Sequence, residues 1–86
     1  MYFVYILYSS KIDKYYIGFS ADINDRLLKH NRSTKGFSST GKPWEIVYSE
    51  MFLDKKNAMK REKQLKNWKN RDRIITLITS GSEHPD

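Results

Sequence analysis

The sequence predicts an α+β domain, a three-stranded antiparallel sheet flanked by helices in the order β-β-α-β-α-α. Two observations carry this expectation. Three short runs rich in aromatic and β-branched residues, YFVYILY, YYIGF and WEIVYSEMF, read as strands. Helical spacing of apolar residues begins after the second run and again after the third. The 86 residues suffice for one domain. We place it at 1–78, with residues 79–86 as a polar, disordered tail.

The elements follow in order. Residues 2–8 form the first strand, and the polar stretch SSKIDK turns the chain into the second, an antiparallel hairpin. Gly18 inside that second strand points to a bulge or to a close approach by another group. Asp22 is placed to cap a helix over roughly 23–31. At 100° per residue, Ile23, Leu27, His30 and Arg26 share one sector of that helix, so Ile23 and Leu27 should face the sheet. Residues 31–43 are a polar loop. Within it GFSSTGK has the spacing of a phosphate loop, but Pro43 stands where Ser or Thr should bind magnesium, and a strand follows where a helix is required. NRS at 31–33 fits a glycosylation acceptor, which carries little without a secretory signal. In the third strand Ile46 and Tyr48 alternate against Glu45 and Val47. Asp54 can cap a long helix through about Trp68, with Ala58, Arg61, Leu65 and Trp68 on its inward stripe and Glu62 and Lys69 on the flank. NRDRIITLITS gives a last helix whose isoleucines and Leu77 close the core.

Composition narrows the function. Cysteine is absent, which excludes disulfides and thiolate metal sites. The apolar start is too short to span a bilayer and lacks a basic leader, so the expectation is a soluble, cytoplasmic protein with no membrane partner. The net charge is +6, and its distribution is uneven. From Lys55 to Arg73 nine Lys/Arg face two acids, a net +7, which leaves −1 for the rest of the chain. Such a segment fits either a polyanion partner or a solvated helix face.

Few residues could carry chemistry. There is no Ser-His-Asp set and no paired carboxylate, and His84 sits in the expected tail, leaving His30. Glu62 is the only acid between Lys55 and Arg71. It could be an i,i+4 partner of Lys66, or a single carboxylate holding a hard divalent ion. Tyr5 and Tyr16 lie on neighbouring strands, as packing groups or as phenols whose pKa the cations of Arg26 and His30 would lower. Arg26 could instead pair with Asp22, and His30 could be a packing histidine.

VYI at 4–6, YIG at 16–18, Arg26 and His30 on the following helix, and REKQLKNWK at 61–69 together resemble the GIY-YIG nuclease superfamily, in particular its small stand-alone, single-domain bacterial branch. The resemblance covers about residues 2–78 and implies the same α+β fold. Phe3 departs from it, standing where the first motif usually has glycine. The resemblance further implies metal-dependent hydrolysis of a phosphodiester. Residue by residue, Tyr5 matches the tyrosine of the first motif, and Tyr16 and Gly18 match those of the second. Arg26 matches the helix arginine, His30 the histidine that often follows, and Glu62 the metal-binding glutamate.

The expectation is therefore an endonuclease using Mg2+ or Mn2+, with Tyr5, Tyr16, Arg26, His30 and Glu62 catalytic and no organic cofactor. Gly18 would let a phosphate-bearing backbone approach the sheet, and Lys56, Lys60, Lys63 and Lys66 would grip DNA without reading sequence. Trp68 is assigned to the core rather than to base stacking. The assembly is expected to be a monomer or weak homodimer. The alternatives are a non-catalytic nucleic-acid-binding module of the same fold and an interaction protein whose charge serves solubility.

Overall fold

The structure, a computed structural model, describes residues 1–32 and 40–81. Three strands, β1 (Tyr2–Ser9), β2 (Lys14–Ser20) and β3 (Glu45–Phe52), and three helices, α1 (Ile23–Arg32), α2 (Lys55–Trp68) and α3 (Arg71–Ser80), follow the expected order β-β-α-β-α-α. The sheet is antiparallel in the order β2-β1-β3, so β1 is central. Val4, Tyr5, Ile6 and Leu7 are each at most 1% exposed, which means that helices or loops cover β1 on both faces.

Alternation along β1 divides the core in two. Val4 and Ile6 pack with Ala58 and Leu65 of α2 and with Ile74 and Leu77 of α3. Tyr5 and Leu7 point the other way, into a cluster with Trp44, Tyr16 and the α1 residues Ile23 and Leu27. Two helix caps, Asp22 and Asp54, are those read from the sequence, and the structure adds Asn70. Asp22 accepts the amide of Asp25 at 3.0 Å, Asp54 that of Asn57 at 2.8 Å, and Asn70 that of Arg73 at 3.1 Å. The hairpin closes through Asp13, whose φ of 54° is left-handed and whose carboxylate accepts from Tyr8 Oη at 2.7 Å.

The fold departs from expectation in three places. Ile46 pairs with Leu7 and Tyr48 with Ile6, so Val47 is an extra residue, a bulge. Ile46 therefore joins the α1-side cluster while Val47 and Tyr48 both pack on the other side, and strict alternation fails. Ile75 is 36% exposed, so only Ile74 and Leu77 of that segment are buried in the core, with Ile78 packed at its edge. Helix α3 runs through Ser80 and is capped by Gly81 at φ 73°, so Thr79 and Ser80 belong to the domain and not to a tail. Residues 36–39 of the phosphate-loop-like pattern, Ser33 of NRS, and His84 lie outside the described residues.

Candidate active site

The hairpin and α1 bring five of the sequence-predicted residues together. Tyr5 and Gly18 are direct cross-strand partners, and Tyr16 pairs with Leu7 two positions along. Side chains of these positions lie on the face that α1 covers. A Cβ built on Gly18 would stand 2.5 Å from Tyr5 Oη and 2.7 Å from Cζ. The absence of a side chain at Gly18 thus makes room for the Tyr5 phenol. The space is filled by the protein's own ring, so the expected reason for Gly18, approach of a substrate backbone, is replaced by this one.

Tyr5 is 1% exposed, and its Oη is buried with no hydrogen-bond partner among the described residues. Arg26, one turn into α1, stands within electrostatic reach of that oxygen without completing a hydrogen bond of good geometry. An unpartnered buried hydroxyl costs about 1–3 kcal/mol, so its presence calls for an explanation. Burial raises the phenol's pKa above 10, and the Arg26 guanidinium offsets only part of that, while Tyr16 and the Glu62 carboxylate push it further up. The expectation that neighbouring cations lower this pKa is therefore overturned: desolvation outweighs the single guanidinium. His30 does not help, because burial and the Arg26 charge depress its own pKa and leave it neutral at pH 7.

His30 is nevertheless a fixed part of the site. Its ring meets Tyr16 edge-on at a centroid distance of 4.5 Å and lies 6.3 Å from the Trp44 ring. Trp44 is held by a residue the sequence reading passed over. Asn31 Nδ2 donates to the Trp44 carbonyl at 3.1 Å, and Asn31 Oδ1 accepts from the Trp44 amide at 2.6 Å. This side chain mimics a strand partner and ties the end of α1 to the start of β3. An Asn one residue after a site histidine was the available signal, but a contact across thirteen positions has no local signature.

Glu62 lies on α2, which packs against β1 and β2, and its charge acts on Tyr5. It also makes the i,i+4 pair with Lys66, Oε2 to Nζ 3.5 Å, the first of the two readings the sequence offered for this residue. Lys56, Lys60 and Lys63 are not brought to the site. At 100° per residue they stand about 100° to 160° around α2 from Glu62, and they line a separate groove with Lys55 and Met59. Lys66 alone of the four shares the Glu62 side. Trp68 is half-buried against the core, with the Arg73 guanidinium 3.9 Å and that of Arg61 5.6 Å from its ring centre, which agrees with a packing role.

With this geometry in view, the comparisons with known proteins decide the family. The sequence model of the GIY-YIG catalytic domain matches residues 1–74. The chain belongs to the GIY-YIG family. It is 34% identical to a UPF0213 protein of Staphylococcus saprophyticus over 80 residues, covering 92% of this chain and 95% of that one. It is 36% identical over 77 residues to a UPF0213 protein of Staphylococcus aureus, covering 88% and 92%. The solution NMR structure of a UPF0213 protein from Bacillus halodurans is similar in fold, with a TM-score of 0.57, 27% identity, and 92% and 84% of the two chains covered. GIY-YIG domains are in general endonucleases, and this chain carries that nuclease-type fold. No helix among the described residues is long and apolar enough to cross a membrane.

Proposed function

We propose that the protein is a metal-dependent endonuclease that hydrolyses phosphodiester bonds of DNA, structure-selective or non-specific in its choice of site. The supporting observation is Tyr5 Oη, a buried hydroxyl without a partner, set beneath an exposed arginine and within the field of a carboxylate. With the exposed Arg26 side chain drawn aside onto a phosphate, a phosphate oxygen or an ordered attacking water would reach this hydroxyl and complete its hydrogen bond.

The residues present fit a divalent ion in a limited way. Glu62 offers one hard oxygen donor, 20% exposed. Among the described residues no group of three or more His, Cys, Asp or Glu is gathered. An ion there would take most ligands from water and phosphate, as Mg2+ and Mn2+ readily do. Held by Glu62, it would supply charge stabilisation at the leaving oxygen.

The remaining work falls to the chain itself. In hydrolysis, water oxygen bonds to phosphorus, the ester P–O bond breaks, and the water proton must be accepted. Tyr5, with its raised pKa, acts as a neutral phenol that donates a hydrogen bond and fixes water or phosphate. His30, neutral at pH 7, is the nearby group with a basic form to take the proton, directly or through Tyr16. Arg26 stabilises charge on the non-bridging oxygens. Trp44, held by Asn31, fixes the rings of Tyr16 and His30.

The experiment is incubation of purified protein with branched, flapped and nicked DNA in Mg2+, Mn2+ or chelator. Metal-dependent cleavage lost in Glu62→Ala and reduced about 10²–10³-fold in Arg26→Ala supports the proposal. A second reading, a binding module of the same fold without catalysis, is favoured by the Glu62–Lys66 pair, which occupies the one carboxylate. It predicts retention of DNA with no products in any metal.

A further inference from the structure

On the side of α2 that carries Glu62, a groove runs between the hairpin and the corner where α2 meets α3. Its rim is cationic, with Lys14 from β2, Lys66 from α2 and Lys69 from the corner, and Arg71 standing at one end. Its floor is apolar, made of Tyr15, Ile17 and Ile74 among others. We infer that this groove binds a single-stranded segment of nucleic acid, and that the substrate of the neighbouring site carries such a segment as a flap or splayed arm.

Charge and shape select this occupant. A polyanion is required by the rim, where Lys14 and Lys69 are exposed and make no ion pair among the described residues. An apolar, aromatic floor is of no use to a duplex, whose bases are stacked inside and whose surface is phosphate and sugar. A single strand exposes base faces that can lie on an aromatic ring while its phosphates meet the lysines. The aromatic ring is held in place: the Arg71 guanidinium stands 5.1 Å from the Tyr15 ring centre, and the Tyr8 ring 4.8 Å away. Arg71 is itself anchored, donating to Asp13 Oδ1 at 2.5 Å and to the Asp13 carbonyl at 2.8 Å. The platform therefore exists before any ligand arrives.

Position links the groove to the site. β2 is an edge strand, and Tyr16 and Gly18 face the α1 side while Ile17 between them faces the groove. Lys66 joins the two regions through its pair with Glu62. A strand following the β2 edge passes from the lysines to the Tyr5–Arg26 pair. The inference rests on the nuclease reading for cleavage but not for binding.

The test is fluorescence anisotropy in chelator, with a single-stranded oligonucleotide of about 12 nucleotides, within the usual span of a single-strand site, and a blunt duplex of the same length. The double variant Lys14→Gln/Lys69→Asn removes two charges, and Asn keeps the left-handed backbone found at Lys69, φ 48°. It should reduce the slope of log K against log salt for the single strand by about 1.4 and leave the blunt duplex unchanged. Tyr15→Leu should weaken the single strand by about fivefold or more without changing that slope. Equal weakening of both ligands, or a larger loss in a Lys56→Gln/Lys60→Gln control, overturns the inference. The two readings fail separately. Absence of metal-dependent cleavage with the groove effects intact removes the nuclease and leaves the groove. Cleavage with wild-type single-strand binding in the groove variants removes the groove alone.

Discussion

Replacing Tyr5 with phenylalanine deletes one atom, the phenol oxygen, from a position 1% exposed. In an ordinary core tyrosine this loses a hydrogen bond and destabilises the fold. Here the oxygen has no well-aligned hydrogen-bond partner among the described residues, so the wild type bears the desolvation of a hydroxyl that recovers only its attraction to Arg26. That burden is about 1–3 kcal/mol, reduced by the attraction between the phenol dipole and Arg26. The vacated volume is that of a single oxygen facing Gly18, too small to make a costly cavity. Tyr5→Phe should therefore stabilise the protein by about 0.5–2 kcal/mol. For a domain of this size each kcal/mol raises Tm by about 4–8 °C. Thermal and urea unfolding at pH 7 measure this, and cleavage assays on the same preparation should show activity falling about 10²-fold or more. A variant that is less stable than the wild type would show that Tyr5 Oη is a structural hydrogen-bonding group and not one held open for substrate.

Gly18→Ala tests the same contact from the other strand. Alanine in a strand normally gains about 0.5–1 kcal/mol over glycine, but its Cβ would meet Tyr5 Oη at 2.5 Å, so overpacking should prevail with a loss of about 1–3 kcal/mol, read by urea titration and partly relieved in combination with Tyr5→Phe. Asn31→Ala removes both hydrogen bonds that Asn31 makes to the Trp44 backbone and should lower stability by about 1–3 kcal/mol, with the Trp44 fluorescence shifting toward that of an exposed indole. The His30 pKa is depressed in the fold, so its contribution is present above the unfolded value of about 6.5 and is lost as pH falls through the folded value. Melting temperature should decline on that acid limb and be flatter in His30→Gln. Tyr48 behaves oppositely. Burial and the Glu50 carboxylate push its pKa to about 12, so stability held below pH 10 should be lost between 10 and 12, and less so in Tyr48→Phe.

Much of the fold could be read from local pattern because each element carries its own signal. The caps at Asp22, Asp54 and Asn70 are single residues whose side chains bond the amide three positions on, a relation that does not depend on the rest of the molecule. The continuous apolar run of β1 likewise announced a strand, and the structure shows it covered on both faces. The bulge at Val47 was not legible, since it concerns which β1 residue each β3 residue opposes, and a side-chain period says nothing of that.

The site was legible in its members more than in its physics. Tyr5, Tyr16, Arg26 and His30 are adjacent because a hairpin and the next helix are adjacent. The direction of the Tyr5 pKa depended on a competition between burial and one guanidinium, and burial depth is a tertiary property. The orientation of Lys56, Lys60 and Lys63 is a different case. The angular arithmetic that places them away from Glu62 needs only the sequence and a helix, but net charge on a segment conceals how it is divided among faces. The Lys14–Lys69 groove required the fold, because fifty-five positions separate residues that the α2–α3 corner brings beside the hairpin.

The central claim is that a single divalent ion, held by Glu62, shares a pocket with the Tyr5 phenol and the Arg26 guanidinium. Its most direct test is a crystal soaked in Mn2+ and measured for anomalous scattering. We predict one strong peak at about 2.0–2.2 Å from a Glu62 carboxylate oxygen, with the Lys66 contact released and waters completing the coordination toward Tyr5. A peak elsewhere on the protein, or Glu62 still bound to Lys66 at saturating Mn2+, would contradict it.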